Sequence, residues 1–406
     1  MKNRISALLL GTALVLATAS IASAQDKTVK IGALSDQSGL YADLGGPGST
    51  LAAQMAAEDS GLRTKGWKID IISGDHQNKP DIGSNIARQW FDVDKVDAIV
   101  DVPNSGVALA VNNIVKEKNG VYINSGAATS DLTNAQCSPN TVHWTYDTYM
   151  LAHSTGQAMV KAGGDSWFFL TADYAFGAAL ERDTTAVITA NGGKVVGTVK
   201  HPLNTSDFSS FLLQAQSSKA KVIGLANAGG DTTNSIKQAA EFGITKGGQK
   251  LAALLLFITD VKAIGLETAQ GLSFTETFYW DMNDETRAFS KKFAARMKNS
   301  APPTMVQAGV YAGLMHYFKA LDALGGNPHD GAKVVAKMKE MPTDDPLFGK
   351  GLIQPNGRTI HSAYLFEVKK PSESKSAWDF YKLVGTVPGD QAFTPLDKST
   401  CPLLKK

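Results

Sequence analysis

Ala98-Ile99-Val100-Asp101-Val102-Pro103-Asn104-Ser105-Gly106 and Gly120-Val121-Tyr122-Ile123-Asn124-Ser125-Gly126-Ala127-Ala128-Thr129-Ser130 decide how this chain folds. Each is a short apolar strand running into a turn rich in hydroxyls. Between them Val107, Leu109, Ala110, Val111, Ile114 and Val115 recur at helical spacing. A strand, a helix and a second strand of these lengths imply a right-handed crossover with parallel strands. Both turns then lie on one carboxyl edge, where open α/β sheets bind ligands. Ser105 and Thr129 are N-cap residue types, and capping alone explains either of them. Side by side, the two turns offer hydroxyls, backbone N–H groups and helix-dipole ends to an anion. A small carboxylate is the expected guest.

Working outward, 406 residues suffice for a large core divided into two lobes. Lys+Arg 40 against Asp+Glu 38 leaves a net charge of +2, too balanced for a nucleic-acid footprint. A mean hydropathy of −0.12 excludes a polytopic membrane protein. Met1 to Ala24 has the pattern of a secretory signal peptide: Lys2 and Arg4, an apolar run from Ala7 to Ala19, and the A-x-A site Ala22-Ser23-Ala24. The expectation is cleavage before Gln25 and a soluble mature protein in the periplasm. Cys137 and Cys401 are the two cysteines, and in an oxidising compartment they read as a disulfide. Two unrelated buried thiols are the alternative.

The βα rhythm recurs along the chain. Strands are expected at 27–34, 67–73, 166–170, 194–199, 221–226 and 251–258, with helices after them. The helix after the first strand follows a turn, Gly45-Gly46-Pro47-Gly48, that matches no phosphate-loop pattern. Val142–Asp147, Gly271–Trp280 and a point near Gly349–Ile353 read as three crossovers between two doubly wound α/β lobes. Asn356-Gly357 marks a hairpin turn near the end. Residues 25–145 and 282–350 make lobe one; 146–281 and 351–406 make lobe two.

Catalytic patterns do not assemble. The seven histidines are scattered, and neither H-E-x-x-H nor G-x-S-x-G occurs. Ser372-Glu373-Ser374-Lys375 matches S-x-x-K only formally, in a polar stretch after Pro371. A binding protein without catalysis, metal or cofactor is expected.

Asn104-Ser105 followed by Ser125-Gly126-Ala127-Ala128-Thr129 resembles the leucine/isoleucine/valine-binding family of type I periplasmic binding proteins, and the likeness extends over the whole mature chain. The resemblance implies that Ser105, the Ala127 N–H and Thr129 hold a ligand carboxylate, with Asn104 beside them, and that Tyr41 packs on the ligand body. On lobe two it points to Tyr174, Phe176, Asn227, Asp231 and Phe257. The family's second-lobe Glu, which accepts the ligand ammonium, would match Phe257-Ile258-Thr259, where no Glu stands. Asp231 or Asp260 substitutes for it, or Asp260 caps a helix. A carboxylate lacking an α-ammonium, such as an aromatic or hydroxy acid, therefore competes with branched-chain amino acids, and small amides are a third class. The implied partner is an inner-membrane ABC permease and the implied state a monomer. A ligand sensor feeding a receptor kinase, or a secreted enzyme on the same fold, are the rival readings.

Overall fold

The computed structural model describes residues 26–404. The expected leader lies outside the described residues. Five strands, β1 (Thr28–Ser35), β2 (Lys68–Asp75), β3 (Ala98–Asp101), β4 (Val121–Asn124) and β5 (Thr141–His143), form a parallel sheet of order β2-β1-β3-β4-β5. β3 and β4 are buried at every position, as strands covered by helices on both faces must be. Asp101 aligns with Asn124 at their carboxyl ends, so the two hydroxyl-rich turns leave the sheet side by side.

The second parallel sheet, of order β7-β6-β8-β9, contains β6 (Ser166–Ala172), β7 (Lys194–His201), β8 (Val222–Ala226) and β9 (Lys250–Ala253). β9 is shorter than the expected 251–258. Beyond its end at Ala253, Asp260 accepts a hydrogen bond from the Phe257 N–H at 2.9 Å and caps the helix Ile258–Ile264. The apolar run Leu254–Phe257 is thus a buried connection, a distinction hydropathy does not make. The helical segment that follows the first passage, Thr148–Leu151 and Gln157–Lys161, is interrupted by a π-helical stretch, Ala152–Gly156.

From β10 (Ser273–Glu276) the chain returns to lobe one. The helix Met305–Leu324 packs on Gly46–Asp59, and Gly331–Glu340, a helix the sequence reading passed over, packs on Met305–Leu324. β11 (Thr343–Asp345), β12 (Gly349–Ile353) and β13 (Thr359–Ile360) then make a small antiparallel sheet. β14 (Ala363–Val368) and β15 (Tyr381–Val387) pair with β10 in another, on the side of lobe two. This is the fold of two α/β lobes joined by three crossovers.

Two of the passages are clamped together. Arg358 and Asp147 are both buried and lie 3.4 Å apart, and the Arg358 guanidinium also donates to the backbone carbonyls of Thr145 and Thr359. A disulfide joins Cys137 to Cys401, tying the residues after β15 to lobe one. No described helix is long and apolar enough to cross a membrane.

Candidate ligand-binding site

The carboxyl edges of the two sheets face each other and enclose a small cavity. Lobe one contributes Tyr41, Leu44, Pro103, Gly126 and Ala128; Tyr146 comes from the first passage. Lobe two contributes Tyr174, Phe176, Ala228 and Leu255. About 220 Å³ of atom-free space lies here, part of it open to solvent. The lobes are closed on each other. The Tyr41 and Tyr174 hydroxyls touch across the cleft at 2.6 Å. Gly229, at φ +58, lies so near that a Cβ would stand 2.8 Å from the Leu40 carbonyl oxygen. At the rim Ser130 donates to Asp183 at 2.8 Å, and Arg182 pairs with Asp131 at 3.1 Å.

Lobe one places the predicted residues as neighbours, with Tyr41 in the cavity lining. Asn104, rather than Ser105, caps the helix Ser105–Lys118: its Oδ1 accepts from the Gly106 and Val107 N–H groups at 2.9 and 3.1 Å. That frees the Ser105 hydroxyl to accept from the Thr129 N–H at 3.3 Å, which ties the two turns together. Thr129 caps the short turn Ser130–Thr133 through the Asp131 N–H. The expectation of a free Ala127 N–H is corrected. It donates to Asn124 Oδ1 at 2.9 Å, because the Asn side chain at the strand end satisfies its own turn. The residues that reach the cavity from these turns are Pro103, Gly126 and Ala128.

Three polar atoms of the same region are buried without a hydrogen-bond partner: Asp101 Oδ1, Asn104 Nδ2 and Ser125 Oγ. None of these three residues lines the cavity itself; they stand in the wall behind Pro103, Gly126 and Ala128.

Lobe two differs. Asp231 accepts from the Asn204 and Thr205 N–H groups at 3.1 and 2.8 Å and so holds the loop after β7. Burial raises its carboxyl to about 6. Asn227 accepts from the Thr232 hydroxyl at 2.8 Å and contacts His201 at 3.2 Å. Asp260 caps Phe257, and burial raises it to about 7. Both acids are engaged within their own lobe, and no acidic side chain is among the cavity lining. Tyr174 and Phe176 do reach the cavity, whereas Phe257 stands behind it, edge-on to Tyr146 at 6.1 Å.

Sequence reasoning missed Tyr146, whose ring lines the cavity and whose hydroxyl donates to the Gly126 carbonyl at 2.6 Å. Its place in the aromatic run Trp144-Thr145-Tyr146, at a crossover between lobes, was the available signal. Burial holds the Tyr41 and Tyr146 hydroxyls far above the usual phenol range, so both are neutral donors.

Residues 28–375 match the family model of the periplasmic binding proteins. The chain belongs to this family. It is 53% identical to a periplasmic binding protein from Burkholderia mallei, whose crystal structure superposes with a TM-score of 0.90 over 93% of this chain and 100% of that one. A branched-chain amino acid ABC transporter periplasmic ligand-binding protein from Burkholderia xenovorans is 40% identical, with a TM-score of 0.82 and coverage of 93% and 100%. The Leu/Ile/Val-binding protein homolog 6 of Brucella melitensis is 26% identical over 370 residues, 89% of this chain and 93% of the relative. Among the described residues of this binding protein, no group of three or more His, Cys, Asp or Glu is arranged to hold a metal ion.

Proposed function

We propose that this binding protein captures a small aromatic carboxylate between its lobes and delivers it to an inner-membrane ABC permease. One observation carries the reading: the cavity is walled by Tyr41, Tyr146, Tyr174 and Phe176 and by no acid. An α-ammonium group would enter with no carboxylate to pair it, and an unpaired buried charge is costly. A flat ring finds aromatic faces, which favour offset or edge-on contact. The carboxylate lies against the turns 103–105 and 126–129. In the Tyr41–Tyr174 contact one hydroxyl donates to the other. The second proton remains available to the solute.

Closure is a hinge motion about the three passages. In this reading the third passage lies at Ile360–Ala363 instead of the expected Gly349–Ile353, a shift supported by the backbone bridge between Arg358 and His143 of lobe one. The protein acts as a monomer in the periplasm once its leader is removed. Solute-binding proteins of Rhodopseudomonas palustris that share the fold, at 23% and 24% identity, are in complex with benzoate and 4-hydroxybenzoate. These two acids are the natural first probes.

The test is thermal stabilisation of the mature protein by aromatic acids, hydroxy acids, branched-chain amino acids and small amides. A solute at 100 times its Kd adds about 2.7 kcal/mol. Stabilisation by benzoate-type acids is the expected result. Stabilisation by amino acids alone overturns it.

A further inference from the structure

Beneath the cavity wall lies a carboxyl group that this reading leaves unused. Asp101 ends β3 and is fully buried. Its Oδ2 accepts the Ser35 hydroxyl at 2.8 Å, while Oδ1 has no partner. A Cβ added to Gly126 would stand 2.4 Å from Oδ1, and one added to Gly45 would stand 2.7 Å from Oδ2. The carboxyl is therefore clasped between two glycine backbones, one of which is cavity wall. The backbone there is strained: Asp101 has φ +75 and the β-branched Val102 φ +58. Consecutive left-handed residues that carry side chains are unfavourable, and such strain collects at functional sites.

The surroundings suit a neutral acid. Tyr122 from β4 and Tyr146 from the first passage are the titratable groups that feel Asp101. β1 and the helix Gly46–Asp59 present only the hydroxyls of Ser35 and Ser49. No cation among the described residues pairs with it, and burial raises the carboxyl to about 6.

We infer that Asp101 takes up a proton when a carboxylate solute enters the cleft, so that solute and proton are captured together. The inference rests on the carboxylate reading above. An ionised solute would lie against Gly126 and Pro103 with the ionised Oδ1 directly behind them, both out of water, and the two charges repel. One proton from solvent placed on Oδ1 removes the repulsion and forms no other bond. Affinity is then highest at mildly acidic pH and falls as pH rises above the titration of the free protein.

Calorimetric titration of the mature protein with benzoate or 4-hydroxybenzoate tests this, at pH 7.5 in two buffers of different ionisation heat and then across pH 5.5–8.5. The expected result is about one proton taken up per solute, with affinity falling nearly tenfold per pH unit at the alkaline end. Asp101→Asn, which carries a permanent donor in place of the acid, binds with no proton uptake and a flat pH profile. Ser35→Ala removes a hydroxyl that favours the charged form, and moves the midpoint of the wild-type profile upward. Should Asp101→Asn not fold, the wild-type proton count and the Ser35→Ala shift decide. Equal affinity at pH 5.5 and 8 without proton uptake overturns the inference alone, as does a slope that survives in Asp101→Asn. Failure of every carboxylate to bind overturns the site reading and this inference with it.

Discussion

The two sheet edges that face each other across the cleft differ in how far they use up their own polar atoms, with Thr259 Oγ1 unpartnered on lobe two and three such atoms on lobe one. On lobe two, Asp231, Asn227 and Asp260 each find partners within the lobe, and what is left to face the cavity is rings and small apolar groups. On lobe one, the turns after β3 and β4 bind each other through Ser105 and Thr129, yet leave Asp101 Oδ1, Asn104 Nδ2 and Ser125 Oγ unpartnered. A polar side chain conspicuous in sequence is therefore a poor guide by itself: its own loop competes for it, as Asn104 and Asn124 show on lobe one and Asp231 on lobe two. Each lobe sends one tyrosine hydroxyl, Tyr41 or Tyr174, into an otherwise apolar cavity lining.

The largest break expected in this contrast is Asp231→Ala. Two N–H groups lose their buried acceptor, and chemical denaturation should show a loss of about 2–4 kcal/mol. Solute affinity should stay within about twofold once folding is allowed for; a tenfold loss would return Asp231 to the binding site. Ser105→Ala with Thr129→Val probes the other lobe. Calorimetry should show affinity weakened at least tenfold, about 1.4 kcal/mol or more. A lower Tm with unchanged affinity would reduce both hydroxyls to capping.

Asp260 gives the contrast a pH dependence. Its carboxyl titrates near 7 in the fold, against 3.8 for an unperturbed Asp. In that window the folded state binds the extra proton. Its contribution to stability is complete below about 3.8 and is lost as pH rises through about 7. Asp260→Asn keeps an oxygen for the Phe257 N–H, and should flatten the stability profile between pH 4 and 7 by about 1–2 kcal/mol. An unchanged profile would mean that the group is solvated. The smallest effect expected is Tyr174→Phe, which removes one hydroxyl of the contact across the cleft. It should weaken binding by about 0.5–1.5 kcal/mol and leave the far-UV spectrum unchanged.

The parallel core was legible because β3 and β4 are apolar on both faces and each ends in a turn that starts a helix. The end of β9 was not, since Leu254–Phe257 is as hydrophobic as a strand and only the Asp260 cap reveals the break. At the site, the turns could be located from residue types, and Tyr174 and Phe176 from their position after β6. The division of labour within the turns could not. Whether Ala127 presents its N–H to a guest depends on whether Asn124 reaches back for it, a matter of a few ångströms that no residue pattern encodes. Tyr146 was hidden for a related reason: a passage between lobes reads as a connection, although its aromatic ring closes the cavity.

The bond between Cys137 and Cys401 has a practical consequence for anyone wishing to watch the protein work. β1 opens the described chain inside the lobe-one sheet, and the disulfide pins the last described segment to that same lobe. Lobe two is thus made of two chain segments, both carried by a body that keeps hold of the described chain at each end. A pair of fluorescent reporters fused next to Thr28 and beyond Leu404 would ride on one rigid body and stay silent while the cleft opens and shuts. Moving one reporter to the solvent side of β7 turns the same motion into a signal, and reducing the disulfide should add noise to the silent pair.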